Sequence, residues 1–135
     1  MFAVPDLTVP ATGALSLLPP ATILRTVAAD LPAWRHLIRY EQSEPSQVRL
    51  DVDHPDLELW LRGWLPGQSA PLVPAETMFT VVIGWVAELG DPGWRVVRAG
   101  QTRILGRGRD HRLTNHGQLP AVTMHATTRA PRVHR

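Results

Sequence analysis

Residues 57–67 read LELWLRGWLPG, and this stretch decides the fold class. Leucines occupy every second position from 57 to 61, and Trp60, Arg62 and Trp64 alternate with them. A period of two predicts a β-strand with two chemically different faces. Pro66 and Gly67 end the strand. Two more prolines in residues 68–76 each remove a backbone donor, so we expect a rigid turn that cannot continue as a central strand.

The sequence pattern changes from helical to strand-like near residue 47, before this stretch begins. Residues 21–30 and 33–40 carry helical apolar stripes behind Pro19 and Pro20. Short strand-like runs cover residues 48–52, 57–64, 78–88, 94–98, 102–105, 111–114 and 119–127. Trp85 and Trp94 could pair across a hairpin turn at 90–93. Short strands at this spacing predict an all-β sandwich or barrel with a helical preface.

Length and composition exclude several classes of protein. A chain of 135 residues predicts one domain, with residues 1–40 as an arm and helices on a barrel of residues 41–135. The absence of cysteine excludes disulfides, thiolate metal sites and cysteine nucleophiles. No apolar run is long enough to cross a bilayer, and no export signal is visible. We therefore expect a cytoplasmic protein without a membrane partner.

The basic residues are unevenly distributed along the chain. Residues 1–94 hold 5 arginines against 11 acidic residues, whereas residues 95–135 hold 9 arginines against one acidic residue. Such asymmetry can indicate nucleic-acid binding. No aromatic stacking platform or recognition helix accompanies the arginines, so nucleic acid is not the expected partner. An interaction module that uses this half of the chain stays an alternative, and a homodimer is also open.

Four blocks of sequence resemble the bacterial cysteine dioxygenase type of cupin in order and spacing. They are LWLRGWLPGQ at 59–68, RAGQ at 98–101, the Gly-rich segment 106–117, and PAVTMH at 120–125. The likeness covers most of the chain. It implies an all-β double-stranded β-helix, the cupin or jelly-roll barrel, with short N-terminal helices.

In that family three histidines hold a non-haem iron, two of them in a His-x-His directly after the Trp-x-Pro-Gly turn. The resemblance makes His111 the match for the third ligand, whereas Val73 and Ala75 occupy the His-x-His positions. Neither side chain can donate a lone pair to a metal. We therefore expect no cofactor, with Fe(II) bound through His111, Glu76 and His125 as the alternative.

Two more candidate residues come from the resemblance, and Trp60 and Glu76 come from their positions in the sequence. Arg49 is the match for the arginine that binds the substrate carboxylate, and His125 for a histidine near the end of the barrel. Trp60 shares a strand face with Trp64 and is the candidate to line the ligand pocket, with packing in the core as the alternative. His111 and Glu76 are the candidates for acid/base chemistry.

These residues lead to two hypotheses about function. The first is a cysteine dioxygenase-like cupin that has lost the iron site, has no thiol dioxygenase activity and binds a small molecule in the barrel. The second is an active enzyme. It would use either iron with a non-standard ligand set or metal-independent acid/base chemistry by His111, Glu76 and Arg49.

Overall fold

A computed structural model describes residues 18–72, 76–90, 93–105 and 111–128. The chain begins with a helix α1 (Pro20–Ala29), a short helix α2 (Leu31–Trp34) and a 3₁₀ turn (Arg35–Leu37). Nine strands follow: β1 (Val48–Leu50), β2 (Leu57–Trp64), β3 (Ser69–Leu72), β4 (Glu76–Ile83), β5 (Trp85–Leu89), β6 (Trp94–Arg98), β7 (Thr102–Ile104), β8 (His111–Thr114) and β9 (Ala121–Thr128). This mostly β architecture with short N-terminal helices confirms the predicted fold class.

The strands form two antiparallel sheets. The first sheet has the order β1-β2-β9-β4-β7, and the second has the order β3-β8-β5-β6. Neighbours in each sheet are mostly distant in sequence, because successive strands alternate between the sheets except at β1–β2 and β5–β6. β2 and β9 pair along their whole length, from Leu57 opposite Thr128 to Trp64 opposite Ala121. This long pair forms the centre of the first sheet.

Two hydrophobic cores lie on opposite faces of the first sheet. The outer core packs the helices on the sheet, and the inner core fills the space between the sheets. The outer core includes Ile23, Leu24, Val27, Trp34, Leu50, Leu57, Leu59, Leu61, Met78, Val122, Met124 and Ala126. The inner core includes Trp64, Leu72, Phe79, Val81, Val86, Val97, Leu105, Leu113 and Ala121. The two-residue period of β2 therefore sends its leucines to the helices and Trp64 into the barrel.

The helical preface is shorter than its apolar stripe predicted. α1 buries Ile23, Leu24 and Val27, and the indole Nε1 of Trp34 donates a hydrogen bond to the carbonyl of Val27 at 2.9 Å. Helical hydrogen bonding then ends at Leu37 rather than residue 40, since Ile38 is already extended. No helix among residues 18–72, 76–90, 93–105 and 111–128 is long and apolar enough to span a membrane.

The strand predictions need three corrections. The run 78–88 is divided at Gly84, whose φ of 75° lets the chain leave β4 in the first sheet and enter β5 in the second. β3 was not predicted. It contains Pro71 and lies at the edge of its sheet, where a missing donor is tolerated. Trp85 and Trp94 do not pair, because Trp85 lies opposite Arg98 at the far end of the hairpin.

Candidate ligand site at the barrel mouth

One row of side chains crosses the inner face of the first sheet. In register, Arg49 lies opposite Trp60, Trp60 opposite His125, His125 opposite Phe79, and Phe79 opposite Arg103. Residues directly opposite each other on paired strands share a face of the sheet. The rings of His125 and Phe79 stack with 5.5 Å between their centroids, and both are fully buried. The row therefore has an aromatic centre with one arginine at each edge of the sheet.

A buried carboxylate joins this row to the second sheet. Glu88 on β5 is only 3% exposed. Its Oε1 accepts a hydrogen bond from Nε of Arg103 at 2.7 Å, and its Oε2 lies 2.9 Å from Nδ1 of His111. Because Arg103 belongs to β7 and His111 to β8, this single carboxylate connects the two sheets. We call Glu88, Arg103 and His111 the mouth cluster.

His111 lies just beneath the surface, with one ring nitrogen bound to Glu88 and the other buried without a hydrogen-bond partner among the described residues. Its side chain is 11% exposed. When the ring is neutral and its Nδ1–H donates to the carboxylate, its lone pair lies on Nε2. That Nε2 atom is buried and has no hydrogen-bond partner in the described part of the chain. Gly90 leaves room for the ring, since a Cβ there would lie 3.1 Å from Nδ1 of His111.

A second polar network lies deeper in the barrel wall. Nε1 of Trp64 donates to Oγ1 of Thr123 at 2.8 Å, and that oxygen lies 2.6 Å from Nε2 of His125. All three side chains are fully buried. A group without solvent contact cannot meet a ligand unless the wall opens. This placement makes the Trp64–Thr123–His125 network part of the fold, and ligand binding by His125 stays a prediction.

The structure does not bring Arg49 to the mouth cluster. Its guanidinium forms an ion pair with Glu58 at 3.4 Å, and its side chain is 53% exposed. Arg49 lies on β1, whereas Arg103 lies on β7 at the opposite edge of the same sheet. Trp60, the register partner of Arg49, is half-buried.

The Glu76 assignment rests on backbone position alone. Glu76 begins β4 and lies opposite Thr127, near the end of β9. Residues 73–75, which include the two positions that replace the metal-binding histidines, lie outside the described part of the chain.

Sequence reasoning missed Glu88 and Arg103. Glu88 stands two residues after Val86, and the period of a strand places both on the inner face. An acidic residue at an inward position of an apolar strand was therefore a usable signal. No comparable signal marked Arg103, because its contact depends on the register between β4 and β7 and on how the two sheets approach each other.

The described residues do not fit the iron site that the resemblance implies. Val73 and Ala75 have no donor atoms at two of the three expected positions. In residues 18–72, 76–90, 93–105 and 111–128, no group of three histidine, cysteine or acidic side chains could hold a metal. His111 already commits one ring nitrogen to Glu88. We therefore assign no chemical step to iron.

A surface cavity of about 230 Å³ lies apart from the mouth cluster. It is between α1 and β4, lined by Arg25, Ala28, Thr80, Val82 and Gly100 among others. Thr80 and Val82 alternate along β4 with the inner-core residues Phe79 and Val81. The cavity therefore lies mainly on the outer side of the first sheet, beneath the helix.

Comparison with solved structures identifies the fold. The chain is similar to the TT1209 protein from Thermus thermophilus, with 18% identity and a TM-score of 0.63 over 71% of this chain and 94% of that one. An uncharacterised double-stranded β-helix protein from Klebsiella pneumoniae gives 21% identity and a TM-score of 0.63 over 72% and 87%. The Cupin_2 domain of an XRE family transcriptional regulator from Enterobacter cloacae gives 17% identity and a TM-score of 0.56 over 67% and 100%.

The chain therefore has the double-stranded β-helix fold of cupin-superfamily proteins. No family model and no curated protein matches the sequence. The structural matches establish the fold, and sequence identities of this size carry no information about the chemistry.

Proposed function

We propose that this chain is a cupin-fold protein that binds a small molecule at the barrel mouth through Nε2 of His111 and does not catalyse thiol dioxygenation. One observation carries the proposal. Glu88 fixes Nδ1 of His111, while Nε2 is buried and has no partner among the described residues. A buried polar atom left without a hydrogen bond costs about 1–3 kcal/mol. Because Nε2 has almost no exposed surface, a ligand that donates a hydrogen bond to it would recover that free energy after the side chains that cover this atom have moved.

The donor set supports the absence of thiol dioxygenase activity. Ferrous iron in an oxygen-activating site needs several nitrogen or oxygen ligands and open positions for substrate and dioxygen. Val73 and Ala75 supply none of those ligands at the positions where the resembled family has histidines. The apolar replacements favour a ligand held by hydrogen bonds and packing.

A second candidate is metal-independent acid/base catalysis. The 2.9 Å contact between Oε2 of Glu88 and Nδ1 of His111 favours it. A carboxylate on Nδ1 orients the ring and stabilises the imidazolium that forms when Nε2 takes a proton from a bound molecule. In this candidate Glu88 replaces Glu76 as the acidic partner, and Arg103 replaces Arg49 as the nearby cation.

The first experiment tests whether the protein binds iron and oxidises cysteine. The protein is produced with ferrous iron supplied, its metal content is measured, and oxygen consumption is followed after cysteine is added. We expect substoichiometric iron and no cysteine-dependent oxygen uptake. Stoichiometric iron together with oxygen uptake, both lost in His111→Ala, would overturn the proposal.

The second experiment tests the ligand position. The ring Cε1–H resonance of His111, assigned by its loss in His111→Gln, is followed by NMR while a library of small polar molecules is added. We expect saturable shifts of this resonance and no such shifts for His116, which is exposed. Turnover of a bound molecule that is lost in both His111→Gln and Glu88→Gln would favour the acid/base candidate. If no small molecule shifts the His111 resonance, the binding proposal is wrong.

A further inference from the structure

The surface cavity between α1 and β4 is separate from the site proposed above. It has a volume of about 230 Å³, and its described lining shares no residue with the mouth cluster. An apolar cavity of about 150 Å³ is large enough to bind benzene, whereas pockets for drug-sized molecules begin at about 300 Å³. The cavity under α1 therefore has room for one small ring with a short polar substituent.

The helix side of the cavity is formed by side chains that are too short to fill it. Ala28 and Ala29 follow Arg25 at helical spacing, so the three residues lie on one side of α1 and all line the cavity. The alanine side chains end at Cβ, which leaves space between the helix and the sheet. The edge of the cavity is also open, because a Cβ added at Gly100 would contact no atom within 4 Å.

The sheet side of the cavity suits an apolar group. Thr80 is only 3% exposed, and its hydroxyl donates a hydrogen bond to the carbonyl of Gln101 at 2.9 Å. Its donor is therefore already used within the protein. Val82 is half-buried and packs against the outer core. A ligand group that rests on this wall gains by being removed from water.

Arg25 gives the cavity its charge. It is the one charged residue among the described residues that line the cavity, and it is exposed. α1 contains no acidic residue, so its own helix offers Arg25 no carboxylate. A guanidinium only donates hydrogen bonds, and its planar fork matches a carboxylate. The complementary ligand therefore carries a carboxylate next to an apolar body.

We infer that this cavity binds a small carboxylic acid, with its carboxylate on Arg25 and its apolar body against Ala28 and Val82. Arg25 selects the negative charge, and the volume limits the body to about one ring. This inference is independent of the proposed function, because the two sites have no residue in common among those described.

Three probes separate the charge from the apolar body. Benzoate carries both, benzamide lacks the negative charge, and acetate lacks the ring. Each is titrated into the full chain while the backbone amide resonances are followed by NMR. We expect benzoate to shift the amides of residues 25–29, 80–82 and 100 saturably. Its Kd should be about three- to fivefold below that of benzamide, because an exposed ion pair contributes little in water. Acetate should bind at least about tenfold more weakly than benzoate, since it buries no ring.

Two variants assign the two contacts. Arg25→Gln should raise the Kd of benzoate to that of benzamide and leave that of benzamide unchanged. Arg35→Gln removes the same charge from an exposed arginine outside the described lining and should change neither value. Ala28→Leu fills the cavity with a residue that suits a helix and should abolish binding of both probes. Thr26→Leu, at an exposed position of α1 outside the described lining, is its matched control.

The outcomes are distinct from those of the proposed function. If benzoate shifts none of these amides, or shifts them without saturation, the inference is wrong. Equal Kd values for benzoate and benzamide, or an unchanged Kd for benzoate in Arg25→Gln, would also overturn it. If Ala28→Leu does not fold, Ala29→Leu fills the same space from an exposed position. Binding that persists in a folded filling variant would place benzoate elsewhere and contradict the inference. The His111 resonance tests the mouth cluster separately.

Discussion

Replacement of Arg103 by methionine should destabilise the protein more than replacement of Glu88 by glutamine, although both remove the same ion pair. Glu88 is 3% exposed, whereas the Arg103 side chain is 29% exposed. Arg103→Met leaves a buried carboxylate with His111 as its remaining partner in the mouth cluster. Glu88→Gln leaves a guanidinium that can turn to water.

The expected losses in the free energy of unfolding follow from this difference in burial. Removing one partner of a fully buried ion pair costs about 3–5 kcal/mol. His111 still contacts the carboxylate, so we expect about 2–3 kcal/mol for Arg103→Met. For Glu88→Gln we expect about 1 kcal/mol, since the amide retains one of the two hydrogen bonds. A chain of this size loses about 3–5 °C in Tm per kcal/mol.

Urea unfolding at pH 7, followed by tryptophan fluorescence, measures both free energies under identical conditions. The exposed Arg98→Met variant is the matched control and should stay within about 0.5 kcal/mol of the parent protein. If Glu88→Gln lowers the free energy of unfolding as much as Arg103→Met or more, the reasoning is refuted. That result would mean that the unpaired arginine, and not the unpaired carboxylate, is the costly charge to bury.

Three further perturbations test the surrounding structure. Trp64→Phe removes the donor to Thr123 inside the barrel and should lower the free energy of unfolding by about 1–3 kcal/mol, measured in urea against Trp94→Phe, an exposed tryptophan. Gly63→Ala would drive a Cβ into the carbonyl of Arg39 and the ring of Tyr40, so a loss of about 2–3 kcal/mol is expected in the same assay, and an unchanged stability would contradict that packing. Burial raises the pKa of Tyr40 above 10.0, so the folded state holds the phenolic proton more tightly and stability should fall as pH rises through 10. Phenolate absorbance reports this single tyrosine directly, and Tyr40→Phe should remove the fall.

The alternation in residues 57–64 was sufficient to predict β2 and its two faces, because one face had to meet a core. The alternation did not indicate which of the two hydrophobic cores each face of β2 contacts. The leucines pack under α1, and Trp64 lies between the sheets. That difference depends on a helical layer whose contact with the first sheet is non-local, and no local pattern encodes it.

The candidate site was predictable only where a residue had a sequence motif around it. His111 was assigned from the resemblance, by its place in the Gly-rich segment. The structure shows that its Nε2 is buried without a partner among the described residues, and its role stays a prediction. Its partners Glu88 and Arg103 come from β5 and β7, which belong to different sheets. Arg49 was assigned from the resemblance alone, and the strand order places it at the edge of the first sheet opposite to Arg103.

The two polar systems inside the barrel differ in what they can do. Trp64, Thr123 and His125 are fully buried, so their hydrogen bonds contribute to the structure of the wall. The mouth cluster has a partly exposed arginine and a histidine just beneath the surface. A buried ion pair is a weak source of stability compared with apolar packing. The cluster therefore adds little net stability, and the binding proposal rests on the buried Nε2 of His111, which has no partner among the described residues.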